Sequence, residues 1–458
     1  MSERTNSGNS FVNNIRVHVR KISKFIDSLG GESRGIQRVY DNEKSNSLMS
    51  IISIMGLWMS GCSGLTSMSS FFLGPLLFGL GYRDTILIGF FALFLGCLFA
   101  AYCSVMGRSG LRQMTSARFL FGPIWIRIVS IITIIGFCGW SITNNVLGGE
   151  ILRAVSNEKV PLEVGIIIIS VVSLIVSIFG INYVLKFEAI ISIPVVMVVF
   201  LLYIIAGPEV SKFTHLESVG DSMTINGNRL NFFALCYSVT ATWGGCASDY
   251  MVYSNLSQKQ LFTLTFFSII IPTTFGAIIG MLIGNAAIGN EEWFNIYEEQ
   301  SLGGLLNLVF SRWNGFGKFL LIVLWLSLIT NNIINTYSSA LSFQLIDNFC
   351  FKYLPRWFIT IIIFAIVLIC SLVGKNKFGV ILSNFLPMLG YWISIYIAIL
   401  FVENVVFRSS KSFINKMYIK EFPDGVDGYF EYLKENDESF KNEKINSNND
   451  DYQIYKYL

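Results

Sequence analysis

The chain has 458 residues, of which 53% are hydrophobic and only 14% are charged, and its net charge is +3. A soluble domain carries about 25% charged residues, and so small a net charge does not favour a nucleic-acid partner. The charges concentrate in residues 1–46, in residues 403–458 and in short connectors between long apolar runs. Because a bilayer span needs roughly 20 apolar residues, the composition predicts an all-α polytopic membrane protein embedded in a lipid bilayer.

About ten candidate spans follow one another along the chain. Their apolar runs are continuous rather than alternating, which predicts transmembrane helices and not barrel strands. Residues 1–46 have no apolar core of the kind found in signal peptides, and we expect both polar tails to be largely disordered. The predicted spans cover residues 47–80, 84–106, 124–153, 160–184, 187–206, 231–254, 261–289, 319–345, 357–373 and 378–402.

The distribution of basic residues predicts the orientation in the membrane. If the N-terminus is cytoplasmic, 24 Lys and Arg residues lie on the cytoplasmic side and nine lie outside. This excess follows the positive-inside rule, and ten spans then place both termini in the cytoplasm. His18 and His215 fall outside the predicted spans, which excludes proton coupling through an intramembrane histidine.

Enzymatic and metal-binding motifs are absent from the sequence. It contains no P-loop, no HExxH motif and no nucleophile elbow, so we expect neither an enzyme nor an ATP-driven pump, and no cofactor. The eight cysteines have no CxxC spacing and mostly lie in apolar runs, a pattern that favours buried thiols over a disulfide framework or a metal site.

The first and sixth predicted spans contain runs of small and polar residues that interrupt their apolar pattern. The first includes Ser63 and Thr66 within a Gly-Cys-Ser-Gly-Leu-Thr run, and the sixth includes Trp243 before a Gly-Gly-Cys-Ala-Ser run. Gly and Ser weaken a helix and let backbone approach a ligand. Interrupted helices at corresponding places in two halves indicate a transporter's binding site, although glycine-mediated helix packing is an alternative for either span.

Aromatic and amide side chains recur within the spans. Trp140 and Asn144 share one face of the third span, where an indole and an amide can stack on a flat ring and bond its edge. Trp243 could cover the other face of such a ring. For each asparagine, a helix–helix hydrogen bond is the alternative. The eighth span adds three amides, Asn331, Asn332 and Asn335.

Intramembrane carboxylates are candidates for proton coupling because they can accept and release a proton during transport. Glu150 lies about two turns after the asparagines of the third span, and we take it as the first candidate. Glu188 and Asp249 are further candidates, although Glu188, like Glu403, lies near a predicted span end, where it could simply face water. Asp249 directly follows the interruption of the sixth span, where capping of a second half-helix is the structural alternative.

Several segments resemble the purine–cytosine permease branch of the nucleobase–cation symporter family, over residues 30–423. They include Glu32-Ser-Arg-Gly-Ile-Gln-Arg38, Leu73-Gly-Pro-Leu76, Gly110-Leu-Arg-Gln-Met114, Gly139-Trp-Ser141 and Asn331-Asn-x-x-Asn335. The resemblance implies the leucine-transporter type of fold, with a five-plus-five inverted repeat. It places the first repeat at residues 47–206 and the second at residues 207–402. The interrupted first and sixth spans agree with that fold.

The resemblance also implies roles for individual residues. Trp140 and Trp243 match two tryptophans that sandwich the substrate ring, and Asn144 and Asn335 match polar residues that contact it. In sodium-coupled relatives, adjacent hydroxyl residues precede the last asparagine by five and six positions. Residues 329–330 are Ile and Thr here, and this broken pattern favours a proton as the coupling ion.

Within the branch, the segments are most similar to carriers of vitamin B6. This resemblance implies a plasma-membrane proton symporter that imports pyridoxine, pyridoxal and pyridoxamine, all small planar heteroaromatic solutes. A purine–cytosine permease with the same mechanism is the first alternative. Because the family usually has twelve spans and this chain shows ten, a non-transporting sensor or truncated remnant is a second.

Overall fold

The structure is a computed structural model that describes residues 21–22, 24–25, 35–178, 181–347, 354–377, 379 and 381–407. Within these ranges the regular elements are helices, and one isolated β-bridge pairs Ser45 with Ser254. The described α-helices are α1 (Leu48–Ser63), α2 (Leu65–Leu76), α3 (Tyr82–Ser104), α4 (Gln113–Val155), α5 (Leu162–Ile178), α6 (Ile181–Val210), α7 (Ser222–Ala241), α8 (Gln258–Gly289), α9 (Glu291–Ser311), α10 (Asn314–Phe343), α11 (Arg356–Gly374) and α12 (Leu386–Val402).

The ten predicted spans coincide with helices of this structure. Eight helical segments of the described chain are long and apolar enough to cross a membrane, with α1 and α2 together forming the first. The predicted fourth span is the shorter apolar helix α5, and the predicted sixth span contains the second half of α7 and the turns that follow it. The all-α polytopic architecture predicted from the sequence is therefore confirmed.

The first span is interrupted at Gly64, as predicted. Gly64 adopts an extended conformation (φ −93°, ψ −157°) between α1 and α2. The Leu65 N–H, which has no helical partner there, donates to the hydroxyl of Ser327 on α10 at 2.9 Å. A Cβ atom at position 64 would lie 2.0 Å from that same hydroxyl oxygen. A glycine is thus required because α10 approaches the backbone of the break too closely for any side chain.

The sixth span is also interrupted, but in a different way. Helix α7 ends at Ala241 and gives way to two short 3-10 turns, Thr242–Gly245 and Ala247–Tyr250. Cys246 separates them with a non-helical backbone (φ −141°, ψ 3°). Since 3-10 turns satisfy fewer backbone groups with good geometry than an α-helix, this stretch leaves polar backbone near the centre of the helix bundle.

Two features of the fold were not predicted from hydropathy. Helix α4 contains a kink at Gly122 (φ 71°), just before Pro123, so a short helical segment precedes the third span. Helix α9 lies between the seventh and eighth spans and bends at Ser301 (φ 57°, ψ −161°). It begins with Glu291 and Glu292, and a helix this polar gives no apolar run to detect.

Helix α10 occupies the middle of the bundle. It packs against α1, α4, α5, α6 and α11, and 78% of its most apolar 18-residue stretch is buried within the protein. Such enclosure explains how α10 can carry three asparagines, because each amide finds protein partners instead of lipid. The candidate site therefore lies where α10 meets the breaks of the first and sixth spans.

The end of the predicted N-terminal tail packs onto the helices. The Val39 N–H donates to the Gly110 carbonyl at 2.9 Å, and the Ser45 N–H donates to the Tyr253 carbonyl at 2.8 Å. Gly110 has a φ of 78°, and a Cβ there would meet the Val39 carbonyl oxygen at 2.0 Å. The rest of the predicted tails, residues 1–20, 23, 26–34 and 408–458, lies outside the described residues, so disorder there stays a prediction.

Candidate substrate-binding site

A small central cavity of about 10 Å³ is enclosed by four elements: the two interrupted spans and the helices α4 and α10. Such a volume corresponds to roughly one water molecule, so a heteroaromatic ring can enter only if the lining side chains move apart. No lining residue carries a charge. The cavity is lined by Thr66, Ser67, Phe137, Trp140, Val239, Thr242, Trp243, Asn331 and Asn335.

Two indole rings line this cavity, Trp140 on α4 and Trp243 in the interruption of the sixth span. Each is only 5% exposed, and the Nε1–H of each is buried without a hydrogen-bond acceptor in the described part of the chain. The Trp58 ring packs edge-on against Trp243, with centroids 5.7 Å apart and an interplanar angle of 77°. A buried donor without a partner calls for an acceptor, and a heteroaromatic solute can supply one.

Asn144 connects three elements behind the cavity. Its amide Nδ2 donates to the Oδ1 atoms of Asn331 at 2.9 Å and Asn332 at 3.0 Å. Its own Oδ1 accepts a bond of 2.8 Å from the hydroxyl of Thr66 on α2. Both ends of the Asn144 amide are therefore engaged by protein, and the residue links α4 to α10 and to the break of the first span.

Asn331 is the centre of the same network. Its Oδ1 accepts from Asn335 Nδ2 at 2.9 Å as well as from Asn144, and its Nδ2 donates to the Gly61 carbonyl at 2.9 Å. Carbonyls in the last turn of a helix lack an intrahelical donor, and Gly61 lies in the last turn of α1. Asn331 thus stabilises the break and also lines the cavity.

The predicted substrate-contacting residues fall into three groups in the structure. Thr66, Trp140, Trp243, Asn331 and Asn335 line the central cavity. Asn144 and Asn332 lie one layer behind them within the amide network. Ser63, although only 1% exposed, lines a separate apolar cavity of about 530 Å³ with residues of α1, α6 and α8.

Sequence reasoning missed four residues of the lining, although helical spacing could have suggested two of them. Phe137 lies three positions before Trp140 on α4, and Val239 lies four before Trp243, at spacings that share a helix face. Thr242 and Ser67 directly neighbour residues that were predicted, but Thr and Ser inside apolar spans are too common to single out. All four line the cavity.

Glu188 lies against the first span beside the break. It is fully buried, and one oxygen accepts a hydrogen bond from the Ser60 hydroxyl, while Oε1 has no partner in the described residues. Glu188 does not face water, which was the alternative left open for it, because α6 begins at Ile181 and places this carboxyl about two turns inside the helix. The Thr330 hydroxyl bonds the Ser60 carbonyl at 3.3 Å, so α6, α1 and α10 meet here.

Asp249 lies at the start of α4 rather than at the start of a second half-helix. Its Oδ1 accepts from the Gln113 N–H at 2.8 Å, and Gln113 is the first residue of α4. The backbone carbonyl of Asp249 accepts from the Arg112 guanidinium at 2.5 Å. The carboxylate therefore caps a neighbouring helix, where it satisfies a free N–H and interacts favourably with the helix dipole.

Glu150 lies ten residues after Trp140 on α4, about 15 Å along the helix, and does not reach the central cavity. It instead lines a cavity of about 410 Å³ between the end of α4, the bend of α9 and the residues after α11. We call this cavity the acidic vestibule, since its lining includes Glu150, Glu158, Glu298 and Glu299.

The chain is similar to known permeases over most of its length. The family described as "Permease for cytosine/purines, uracil, thiamine, allantoin" matches residues 42–432. The chain is 48% identical over 427 residues to the vitamin B6 transporter TPN1 of Saccharomyces cerevisiae, covering 92% of this chain and 73% of that protein. It is 33% identical over 402 residues to the purine-cytosine permease FCY2 of the same organism, covering 86% and 74%.

Solved structures show the same fold. Mhp1, a nucleobase-cation-symport-1 family transporter in a closed conformation with bromovinylhydantoin bound, superposes with a TM-score of 0.59 at 12% identity, covering 94% of this chain and 99% of that one. MhsT in complex with L-phenylalanine gives a TM-score of 0.56 at 14% identity, covering 90% and 99%. The predicted leucine-transporter type of fold and the prediction of a transporter rather than an enzyme are confirmed. The chain belongs to the family of permeases for cytosine and purines, uracil, thiamine and allantoin.

Proposed function

We propose that the protein is a plasma-membrane proton symporter that imports vitamin B6 by alternating access. The observation that carries the proposal is the pair of buried indoles, Trp140 and Trp243, which line an uncharged cavity at the two helix breaks and whose N–H groups have no acceptor among the described residues. Such a site suits a flat solute with hydrogen-bond acceptors on its edge. The 48% identity to a vitamin B6 transporter supports the B6 vitamers among solutes of this shape.

In this proposal the ring of the vitamer inserts between the two indoles. Asn335 and Asn331 then bond its polar edge, while Thr66 and the backbone of the breaks provide further contacts. A cavity of about 10 Å³ is too small for the ring, so binding requires one indole to move away from the other. Alternating access supplies that motion, because one helix bundle rocks against the other around a central site.

We assign the coupling proton to Glu188 in preference to Glu150 and Asp249. Glu188 contacts the first span through Ser60, one residue before the carbonyl that Asn331 binds. Protonation at this point changes a contact between α6 and the break, and the substrate cavity lies on the other side of that break. Asp249 already accepts a hydrogen bond from the first N–H of α4, and Glu150 lies in the vestibule, away from the central cavity.

A proton is preferred to sodium because the pair of adjacent hydroxyl residues that precedes the last asparagine in sodium-coupled relatives is incomplete in this chain. Thr330 has a hydroxyl, whose single hydrogen is shared between the Ser327 carbonyl at 2.9 Å and the Ser60 carbonyl at 3.3 Å, but its neighbour Ile329 has none.

The excess of Lys and Arg on one side of the predicted spans supports cytoplasmic N- and C-termini. The same orientation places the acidic vestibule on the outer side.

The test is uptake of radiolabelled pyridoxine by cells that lack their own B6 carrier, with excess unlabelled cytosine or adenine as competitor. We expect saturable uptake that ignores the bases, rises in acidic medium and collapses with a protonophore. Uptake that follows sodium instead would contradict the proton assignment.

A purine–cytosine permease is the second candidate, supported by the 33% identity to FCY2 and by a neutral, amide-lined site that also suits a nucleobase. Uptake of labelled cytosine without uptake of pyridoxine would establish it. Failure to transport either solute, despite surface expression, would favour a non-transporting protein.

A further inference from the structure

The acidic vestibule carries more negative charge than its ion pairs neutralise. Its two basic residues are already paired: Arg153 lies 3.6 Å from Glu158, and Lys375 contacts Glu163. Glu298 and Glu299 line the same cavity, where they are exposed and have no ion pair among the described residues. A concave surface with unpaired negative charge concentrates cations.

Glu150 provides an independent indication of a ligand. The residue is only 8% exposed, and its Oε2 is buried without a hydrogen-bond partner in the described part of the chain. Gly303, just after the bend of α9, packs so closely on α4 that a Cβ there would lie 2.8 Å from the Glu150 Cβ. The carboxyl is thus held at the vestibule wall with one acceptor oxygen unused. Buried polar atoms in proteins almost always have a partner.

The size and lining of the vestibule favour an organic cation over a metal ion. Within the described residues no group of three or more His, Cys, Asp or Glu side chains is arranged to hold a metal. The volume of about 410 Å³ is in the range of small-molecule sites. Tyr297 also lines it, and burial together with the charges of Glu298 and Glu150 raises the pKa of Tyr297 to about 12. Its ring and neutral hydroxyl can therefore contact an organic cation.

We propose that the acidic vestibule is a capture subsite for a heteroaromatic solute with a primary alkylammonium group, before the solute moves to the central cavity. Among the B6 vitamers this solute is pyridoxamine. The identity of the amine rests on the proposed function. The primary ammonium would bind the Glu150 carboxyl, with Glu298 and Glu299 attracting it from the rim and Tyr297 contacting the ring. Pyridoxine lacks the amine and gains little from these charges. The vestibule thus discriminates between vitamers that the neutral central cavity treats alike.

The test replaces both rim acids, Glu298→Gln with Glu299→Gln, and compares uptake kinetics of pyridoxamine and pyridoxine. Both residues are exposed and lie outside the central site, so the variant should fold and transport. We expect KM for pyridoxamine to rise about threefold, consistent with exposed charge interactions, with KM for pyridoxine and both maximal rates unchanged. Glu217→Gln removes an exposed acid from a connector on the same predicted side, and it should leave all four values unchanged.

Equal changes in KM for the two vitamers, or no change, would overturn the subsite. Should the wild-type protein transport neither vitamer, the proposed function fails, and equilibrium binding of labelled pyridoxamine to the purified proteins decides about the subsite. Saturable binding that weakens about threefold in the double variant, and not in Glu217→Gln, supports it. Binding that is absent, or equally strong in both variants, contradicts it.

Discussion

The central cavity and the acidic vestibule are built from opposite chemistries. The central cavity has a volume of about 10 Å³ and is lined by indoles, amides and hydroxyls without a charge. The vestibule has a volume of about 410 Å³ and is lined by four acids and two bases. The first suits recognition by stacking and directional hydrogen bonds, and the second suits attraction of a cation from water.

The difference follows from where charge is tolerated in a membrane protein. A charged side chain far from water is costly unless it is paired or can be neutralised, whereas amides satisfy one another at little cost when they are close-packed. Asn144, Asn331 and Asn335 do so in the centre. Glu188 is the exception near the central site, and its contact with Ser60 fits a group that exchanges a proton. Variants around the central cavity test one side of this comparison, and the salt dependence of uptake tests the other.

The largest effect should come from Gly64→Ala, which changes the break of the first span. The added methyl group would lie 2.0 Å from the Ser327 Oγ and 2.1 Å from its Cβ, forcing α1 and α2 away from α10. Overpacking of this kind costs about 1–3 kcal/mol, and it displaces the backbone at the central cavity. We expect uptake to fall about tenfold or more at normal surface expression, measured with labelled pyridoxine.

Two further variants check that the clash is the cause. Adding Ser327→Gly removes both atoms that the new methyl group meets, and uptake should recover in part, as a double-mutant cycle measures. Gly207→Ala in α6, where nothing lies within 4 Å of the added Cβ, should leave uptake unchanged. Equal loss in both glycine variants would contradict the steric explanation.

Glu188→Gln should uncouple transport from the proton gradient. The amide keeps the size of the carboxyl and its contact with the Ser60 hydroxyl, but it cannot bind and release a proton. We expect accumulation of pyridoxine against its gradient to fall about tenfold, corresponding to about 1.4 kcal/mol of lost driving force, while exchange of labelled for unlabelled pyridoxine continues. Glu188→Asp should retain acid-stimulated accumulation. Accumulation that survives in Glu188→Gln would assign the proton to another group.

Asn331→Ala and Asn335→Ala should separate stability from recognition. Asn331 makes three hydrogen bonds to Asn144, Asn335 and the Gly61 carbonyl, whereas Asn335 makes one of these. At about 0.6 kcal/mol for each bond in a membrane protein, Asn331→Ala should lower the free energy of unfolding by about 2 kcal/mol. It should therefore lower the midpoint of thermal unfolding more than Asn335→Ala does. Asn335→Ala should mainly raise KM for pyridoxine. Thermal unfolding in detergent and uptake kinetics check both; the reverse order would exclude Asn331 as the centre of the network.

The smallest effect should be that of salt. Raising the ionic strength outside the cell shortens the Debye length, which weakens attraction by the exposed rim acids Glu298 and Glu299. We expect KM for pyridoxamine to rise about twofold between low and high ionic strength, and KM for pyridoxine to stay constant, because the central cavity has no charge to screen. Equal salt dependence for the two vitamers would remove the distinction between the cavities.

Much of this architecture could be predicted from the sequence, because the bilayer imposes long apolar runs. The ten predicted spans, the breaks at Gly64 and around Cys246, and five cavity residues followed from hydropathy, small-residue runs and polar residues inside spans. Such features are visible along one segment. Helix α9 was not predictable in this way, since its polar sequence resembles any connector.

The environments of the acids could not be predicted from the sequence, because they depend on contacts between segments far apart in the chain. Glu188 was expected at a span end and is buried against Ser60, which precedes it by 128 residues. Asp249 caps a helix that begins 136 residues earlier. Glu150 was taken as the coupling acid for its place on α4, but the bend of α9 encloses it in a separate cavity. Periodicity along one helix gives the face of a residue and not the partner opposite it.

The most direct measurement of the central claim is equilibrium binding of labelled pyridoxine to the purified protein and to Trp140→Ala and Trp125→Ala. Both tryptophans lie on α4, but Trp125 is 65% exposed on the outside of the bundle whereas Trp140 lines the central cavity. Loss of a stacked ring and its N–H donor should weaken binding about tenfold in Trp140→Ala, while Trp125→Ala binds like the wild type. Equal affinity for pyridoxine in the two variants would show that the vitamer binds elsewhere.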